Sequence, residues 1–277
     1  NTIVGGPAVR VGVQPNDRIV RIDTLDAVGF KQTDVPKYLR GKTGTKVEID
    51  VVRQGEPEPL HFVIVRDKIP LNTVDAAYMA ADGVGYIKVN RFGRTTMSEF
   101  REAFDKLGRP ESLILDLRGN GGGLLDDAIQ CIDLIAPEGT VAYAEDKNGN
   151  RTVIGSSDAE SAVSLPMVCL VNGNTASAAE LFAATLRTMN GARLVGTTTM
   201  GKGTIQSSPQ RLSDGSAVVI TVAKLACGDG SCFDGTGLTV DVERALSAEE
   251  ATNFYDYTPQ TDPPVSYTHL TLPTKLE

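Results

Sequence analysis

Tryptophan is missing from this chain, and histidine, the usual proton shuttle, occurs only twice in 277 residues. His61 sits in a strand-like stretch and His269 in an unusual C-terminal tail. A hydrolase built on this sequence must therefore draw its general base from another residue type. Basic charge is also in short supply. Lys and Arg number 27 against 35 Asp and Glu, for a net charge of -8, which argues against an electrostatic grip on nucleic acid. No run approaches the roughly 18 apolar residues of a membrane span. No basic-plus-apolar leader opens the sequence, and Thr2-Ile3-Val4-Gly5 reads as the middle of a domain. Cysteine is limited to four positions. Cys131 and Cys169 fall in apolar patterns and read as core thiols. Cys227 and Cys232 bracket a turn, Gly228-Asp229-Gly230-Ser231, and stay open between free thiols and a disulfide that would imply an oxidising compartment. Zinc would need two more ligands beside them, and the sequence offers none.

The residues that are present divide the chain at about position 68. Up to that point it is β-rich. Arg18–Ile22 and Lys46–Val52 alternate in polarity as half-buried strands do, Leu60–Val65 reads as a return strand, and Thr33–Leu39 as a short helix. Beyond it, strands and helices alternate, which predicts an α/β domain. Strands are expected at Gly85–Val89, Ser112–Leu117, Met167–Val171, Ala192–Val195 and Ala217–Ala223. Helices are expected at Thr96–Leu107, with Met97, Phe100, Phe104 and Leu107 on one face, and at Leu124–Ile135. A further helix opens at Ser177, with Leu181, Phe182, Thr185 and Leu186 facing the core.

Three motifs stand where strands hand over to loops, the usual ligand position in such folds. In Thr175-Ala176-Ser177-Ala178-Ala179-Glu180, Ser-x-x-Glu before an apolar run spells a capping box. The same geometry places a serine hydroxyl among unpaired amides at the positive end of a helix, where a nucleophile and the oxyanion it generates are both favoured. In Gly201-Lys202-Gly203-Thr204-Ile205-Gln206, a lysine lies between two glycines. Read alone it is an exposed loop lysine; desolvated, it could take a proton from serine. Gly196 to Lys202 also fits the first seven positions of a phosphate-binding loop, but Gly203 stands where Ser or Thr should hold magnesium, and strand-like sequence follows. Asp116-Leu117-Arg118-Gly119-Asn120-Gly121-Gly122-Gly123 makes a tight, anion-receptive turn in which Asp116 and Arg118 can pair. A dinucleotide fingerprint fails there at Leu124.

Together these residues resemble the carboxyl-terminal processing proteases, also called tail-specific proteases, from about Gly5 to Asp241. The family's D-L-R-x-N-x-G-G, T-A-S-A-A-E and G-K-G-x-x-Q signatures are met in order at Asp116–Gly123, Thr175–Glu180 and Gly201–Gln206. The resemblance implies a Ser177 nucleophile, Lys202 as general base and later acid, and Gln206 orienting the lysine. It implies an oxyanion hole from the Ala178 amide with that of Gly123 or Gly122, and neither metal nor organic cofactor. It implies a ClpP/crotonase-like core of ββα units at 69–246, preceded by a PDZ domain at 1–68 whose first strand and carboxylate-binding loop are missing. Gly6-Pro7-Ala8, Asn16-Asp17-Arg18-Ile19 and Leu39-Arg40-Gly41 match PDZ signposts. The family's Thr-Pro-Ser-Gly hairpin is replaced by Cys227 to Cys232, and Gly237-Leu238-Thr239-Val240-Asp241 lacks the usual proline.

The expected protein is an extracytoplasmic serine endopeptidase, of bacterial periplasm or cell envelope, acting on proteins with accessible C-termini. A homo-oligomer of the full-length parent is compatible with this. The rivals are a PDZ-type peptide binder without catalysis and a nucleotide binder at Gly196–Lys202. Residues 247–264 read as a C-terminal remnant. Residues 265–277 read as the translation of a sequencing-library adapter joined to a truncated reading frame, and carry no functional expectation.

Overall fold

Alternation in the first part of the chain closes a small β unit. The computed structural model describes residues 6–250, apart from 15, 32, 70–71, 159, 161–162, 164 and 248, together with 262, 264 and 265. The chain divides into two compact units, the first covering Asn1–Leu71 with Thr252–Thr258, the second Asn72–Ala251 with Pro259–Glu277. In the first unit, α1 (Pro7–Arg10), β1 (Arg18–Ile22), β2 (Leu25–Asp26), α2 (Val35–Leu39), β3 (Lys46–Val52) and β4 (Leu60–Val65) build an antiparallel sheet in the order β2-β1-β3-β4. Val47, Ile49 and Val51 point inward from β3 and pack with Ile22 and Ile64, as a period of two requires. Arg53 closes the unit's edge on Asp17, whose carboxylate it holds through two hydrogen bonds of 2.7 Å.

The second unit is a mixed α/β domain. Its elements are β5 (Val74–Ala81), β6 (Val84–Val89), α3 (Thr96–Leu107), β7 (Ser112–Asp116), α4 (Leu125–Asp133), β8 (Gly139–Glu145), β9 (Arg151–Ser157), β10 (Met167–Val171), α5 (Ala178–Asn190), β11 (Arg193–Gly196), β12 (Thr204–Gln206), β13 (Gln210–Arg211), β14 (Ala217–Val218), β15 (Thr221–Cys227) and β16 (Val242–Glu243). The central sheet runs β16-β11-β10-β7-β6-β5. It is parallel from β16 through β6, and β5 joins antiparallel to β6. Both faces of β7 and β10 are buried, which explains their unbroken apolar runs. Leu113, Leu115, Cys169 and Val171 face the layer of α3, α4 and α5; Ile114, Val168 and Leu170 face the opposite cluster with Tyr86 and Val265.

A second antiparallel sheet runs β12-β15-β8-β9. The strand expected over Ala217–Ala223 is split, because Ile220 bonds back to Ser207 between β14 and β15. Of the segment read as adapter-derived, Val265 alone is described, and it is buried. His269 and the rest of that tail lie outside the described residues. No helix among the described residues is long and apolar enough to cross a membrane.

Candidate active site

Three loops at the carboxyl ends of β7, β10 and β11 converge through side chains that are themselves buried. Asn120 donates to the Val89 carbonyl (3.0 Å), accepts from the Gly122 amide (2.9 Å), and offers its own carbonyl to the Ala176 amide (2.9 Å). Thr175 donates to the Leu117 carbonyl (2.8 Å) and accepts from the Met200 amide through its carbonyl (3.0 Å). Both are fully buried, so each bond replaces one that water cannot supply. The glycine turn, the serine turn and the lysine loop are thereby fixed to one another.

Ser177 caps α5 with φ 58° and ψ -122°, a conformation sparsely populated by residues with a Cβ. Such a positive-φ residue turns the chain sharply from the loop after β10 into α5. Of the capping box expected from the sequence, the Glu180 half is formed, while the Glu180 amide donates to the Ser177 carbonyl (2.9 Å) rather than to its hydroxyl. Its carboxylate does more than cap. Glu180, fully buried, accepts from the Ser177 amide (2.8 Å, Oε2), the Lys202 amide (2.9 Å, Oε2), the Gly201 amide (2.7 Å, Oε1) and the Thr199 hydroxyl (2.5 Å, Oε1). One carboxyl oxygen thus holds the backbone nitrogens of Ser177 and Lys202, which lie no farther apart than the sum of those two contacts. The sequence shows Glu180 as the acid of a capping box; nothing in the local pattern reports its reach to the lysine loop.

The two side chains themselves are not bonded to each other in this structure. Lys202 is exposed and Ser177 half-buried. Gln206, on β12, is exposed and donates its amide to the hydroxyls of Thr204 (3.0 Å) and Thr221 (3.4 Å), with no hydrogen bond to Lys202. Lys202 leads into β12, where a phosphate-binding loop would need a helix, so the nucleotide reading loses its cradle.

The glycine turn presses on the serine. A Cβ on Gly122 (φ +90°) would stand 2.7 Å from the Ala176 carbonyl oxygen and 2.9 Å from Ser177 Cβ. A Cβ on Gly123 (φ +142°) would meet the Phe92 carbonyl oxygen at 1.9 Å. The Gly122 amide is taken by Asn120. The amides of Gly123 and Ala178 have no hydrogen-bond partner among the described residues.

Behind the turn, Asp116 accepts from Arg118 (2.6 Å) and Tyr86 (2.7 Å), with Lys88 at 3.4 Å. Burial alone would raise the Asp116 carboxyl; the charges of Lys88 and Arg118 override it and hold the group well below the usual range. Burial and the adjacent Asp116 push Tyr86 far up. Arg118 also grips Asp262, from 144 positions later in the chain, at 2.8 and 3.1 Å. The local Asp116–Arg118 pair read from the sequence is present; its distal partner was not legible there. All four cysteines are free thiols. Among the described residues no cluster of His, Cys, Asp and Glu is placed to hold a metal ion.

Residues 83–244 match the family described as Peptidase family S41. The carboxy-terminal processing protease CtpA of Bacillus subtilis (strain 168) is 37% identical over 247 residues, covering 88% of this chain and 52% of that protein. The carboxyl-terminal-processing protease of Synechocystis sp. (strain ATCC 27184 / PCC 6803 / Kazusa) is 36% identical over 80% of this chain and 53% of its own length. The chain spans about half the length of these curated relatives. Among solved structures, the photosystem II D1 C-terminal processing protease superposes with a TM-score of 0.59 at 28% identity, over 94% of this chain and 72% of that one. A putative S41 protease from Bacteroides fragilis NCTC 9343 gives 0.70 at 18% identity, over 96% and 75%, and so shares the fold.

Proposed function

The chain belongs to peptidase family S41, and from that premise we propose that it is a serine endopeptidase that processes or degrades proteins from their C-terminal region. The observation that carries the reading is the shared Glu180 oxygen, which places the Ser177 and Lys202 backbones side by side. In the active state the Lys202 side chain leaves solvent and turns its amine to the Ser177 hydroxyl, where burial favours the uncharged form that can act as a base. The amine takes the hydroxyl proton as Ser177 Oγ attacks the scissile carbonyl, and returns it to the leaving amine. Gln206 leaves the two threonines to orient the lysine. The oxyanion is received by the Ala178 and Gly123 amides, the two left unpaired; Gly122, whose amide is engaged, supplies close approach instead.

The first unit serves as a PDZ domain that recruits or gates substrate chain ends, and the second as the ClpP/crotonase-like core. A groove of about 530 Å³ in the first unit, lined by Leu39, Gly41, Ile49 and Ile64 among others, supports this role. Action on protein substrates outside the cytoplasm and assembly of the parent into homo-oligomers belong to the same reading. The unbonded serine–lysine pair favours one rival, a peptide binder that does not cut. Covalent labelling by a fluorophosphonate decides between them. Ser177→Ala and Lys202→Ala are each expected to lower peptide hydrolysis by about 10⁴-fold or more, and Ser177→Ala to abolish labelling. Hydrolysis that survives either substitution unchanged rules the dyad out.

A further inference from the structure

Two thiols that the peptidase reading leaves aside flank the loop carrying Lys202. β15 ends at Cys227, whose amide donates to the Ser231 carbonyl (2.8 Å) while its carbonyl accepts from Gly230 (2.8 Å). The chain turns tightly there and returns through Cys232 into a strap, 233–238, that lies against the lysine loop. The Gly203 amide donates to Asp234 Oδ1 (3.1 Å), and the Gly235 amide to the Gly201 carbonyl (2.8 Å). There is no slack between them: a Cβ on Gly201 would stand 2.6 Å from the Gly237 nitrogen, and one on Gly203 2.7 Å from Asp234 Cβ. Leu225 belongs to both sides. Its amide donates to the Gly203 carbonyl (2.9 Å), and its carbonyl accepts from Cys232 Sγ (3.5 Å).

The thiols differ in access. Cys227 is buried in the main core, whereas Cys232 is exposed. The turn sets them near one another, since the Cys227 amide donates to the carbonyl of Ser231, the residue before Cys232 (2.8 Å), while burial pushes the Cys227 thiol up to about 11.

We propose that Cys227 and Cys232 form a reversible disulfide that loosens the Lys202 loop and lowers the activity proposed above, on whose reading this inference rests. The exposed Cys232 thiolate attacks one sulfur of a small-molecule disulfide such as oxidised glutathione, whose S–S bond breaks and whose departing thiolate carries the electron pair. Cys227 then gives up its proton, attacks the Cys232 sulfur and expels the second thiolate. The released thiolates take up the two protons, so two cysteines are oxidised and one external disulfide is reduced to two thiols. The buried Cys227 makes the second step the slow one. Closing the pair requires Cys232 to leave the Leu225 carbonyl and turn toward the core. Asp234 is two residues farther on, so the strap moves with it and its hold on Gly203 weakens.

The chain is incubated with oxidised glutathione and followed by intact mass, thiol mapping, amide exchange at Gly201–Gly203 and cleavage of a fluorogenic peptide. The expected result is a 227–232 disulfide, exchange at those amides faster by about tenfold, and a matching fall in turnover, all reversed by dithiothreitol. Cys232→Ser retains turnover and shows none of the response. Glutathione that remains on Cys232 without pairing overturns the proposal, as does a pair that closes while exchange stays unchanged. A chain that cleaves no peptide in either state overturns the peptidase reading instead, and exchange at Gly201–Gly203 still decides whether the loop responds to the thiols.

Discussion

Ser177 holds a backbone conformation that costs about 1–3 kcal/mol for a residue with a Cβ. Ser177→Gly is therefore expected to raise stability by about 1 kcal/mol while eliminating turnover. A melting temperature that falls in that variant would show the turn to be unstrained. Glu180 carries the opposite expectation. Glutamine at this position sets an amide NH2 among three backbone N–H donors and one hydroxyl, so Glu180→Gln loses a charge-assisted acceptor worth about 1.5–3 kcal/mol and crowds donor against donor. Turnover should fall by about 10²-fold or more through misplacement of Lys202, with KM little changed. Single-turnover kinetics beside a denaturation curve separate the two effects. These residues also mark how far the sequence could be read. Ser177, Lys202 and Gln206 are visible because their spacing matches a family pattern. The reach of Glu180 to Thr199, Gly201 and Lys202 is not, because a local motif carries no information about a loop that returns about 20 positions later.

At the scale of elements, α5 is buried along its first nine residues, and Phe182 anchors it against Phe92 (centroids 5.3 Å apart) and Phe100 (6.2 Å). Phe182→Ala should cost about 3–5 kcal/mol. It should also depress activity, because the Phe92 backbone holds Gly122 and Leu124 by hydrogen bonds of 2.9 Å. Chemical denaturation and peptide hydrolysis measure the two losses. Helices α3 and α4 and strands β3, β4, β7 and β10 were legible because each is long enough to show its period. β5 was not: Val74–Ala81 is alanine-rich, a composition that leans toward helix, and it is a strand because β6 offers it an edge. β12, β13, β14 and β16 span two or three residues each, shorter than any window in which periodicity can be counted.

For the whole molecule, acid tests the two units through different carboxylates. In the first unit, Asp50 is held at about 2 by hydrogen bonds from Arg21 and His61, with Glu48 facing His61 at 3.9 Å. A carboxyl depressed in the folded state adds stability above its unfolded value, near 3.9, and loses it as pH falls toward 2. The first unit should therefore weaken between about pH 4 and pH 2, and Asp50→Asn should flatten that limb when unfolding is followed by circular dichroism across the range. In the second unit, Asp116 lies lower still, so its contribution persists deeper into acid. Activity should also withstand chelators, since the proposed chemistry runs on serine and lysine; inactivation by EDTA that zinc reverses would contradict it.

The grip of Arg118 on Asp262 has a consequence for synthesis. A ribosome delivers the arginine 144 codons before its second carboxylate, and through that interval the turn beside the serine waits for an anchor still being translated. Until Asp262 emerges, the Arg118 guanidinium has Asp116 as its one carboxylate partner among the described residues, so the glycine turn is held less firmly during synthesis than in the folded chain.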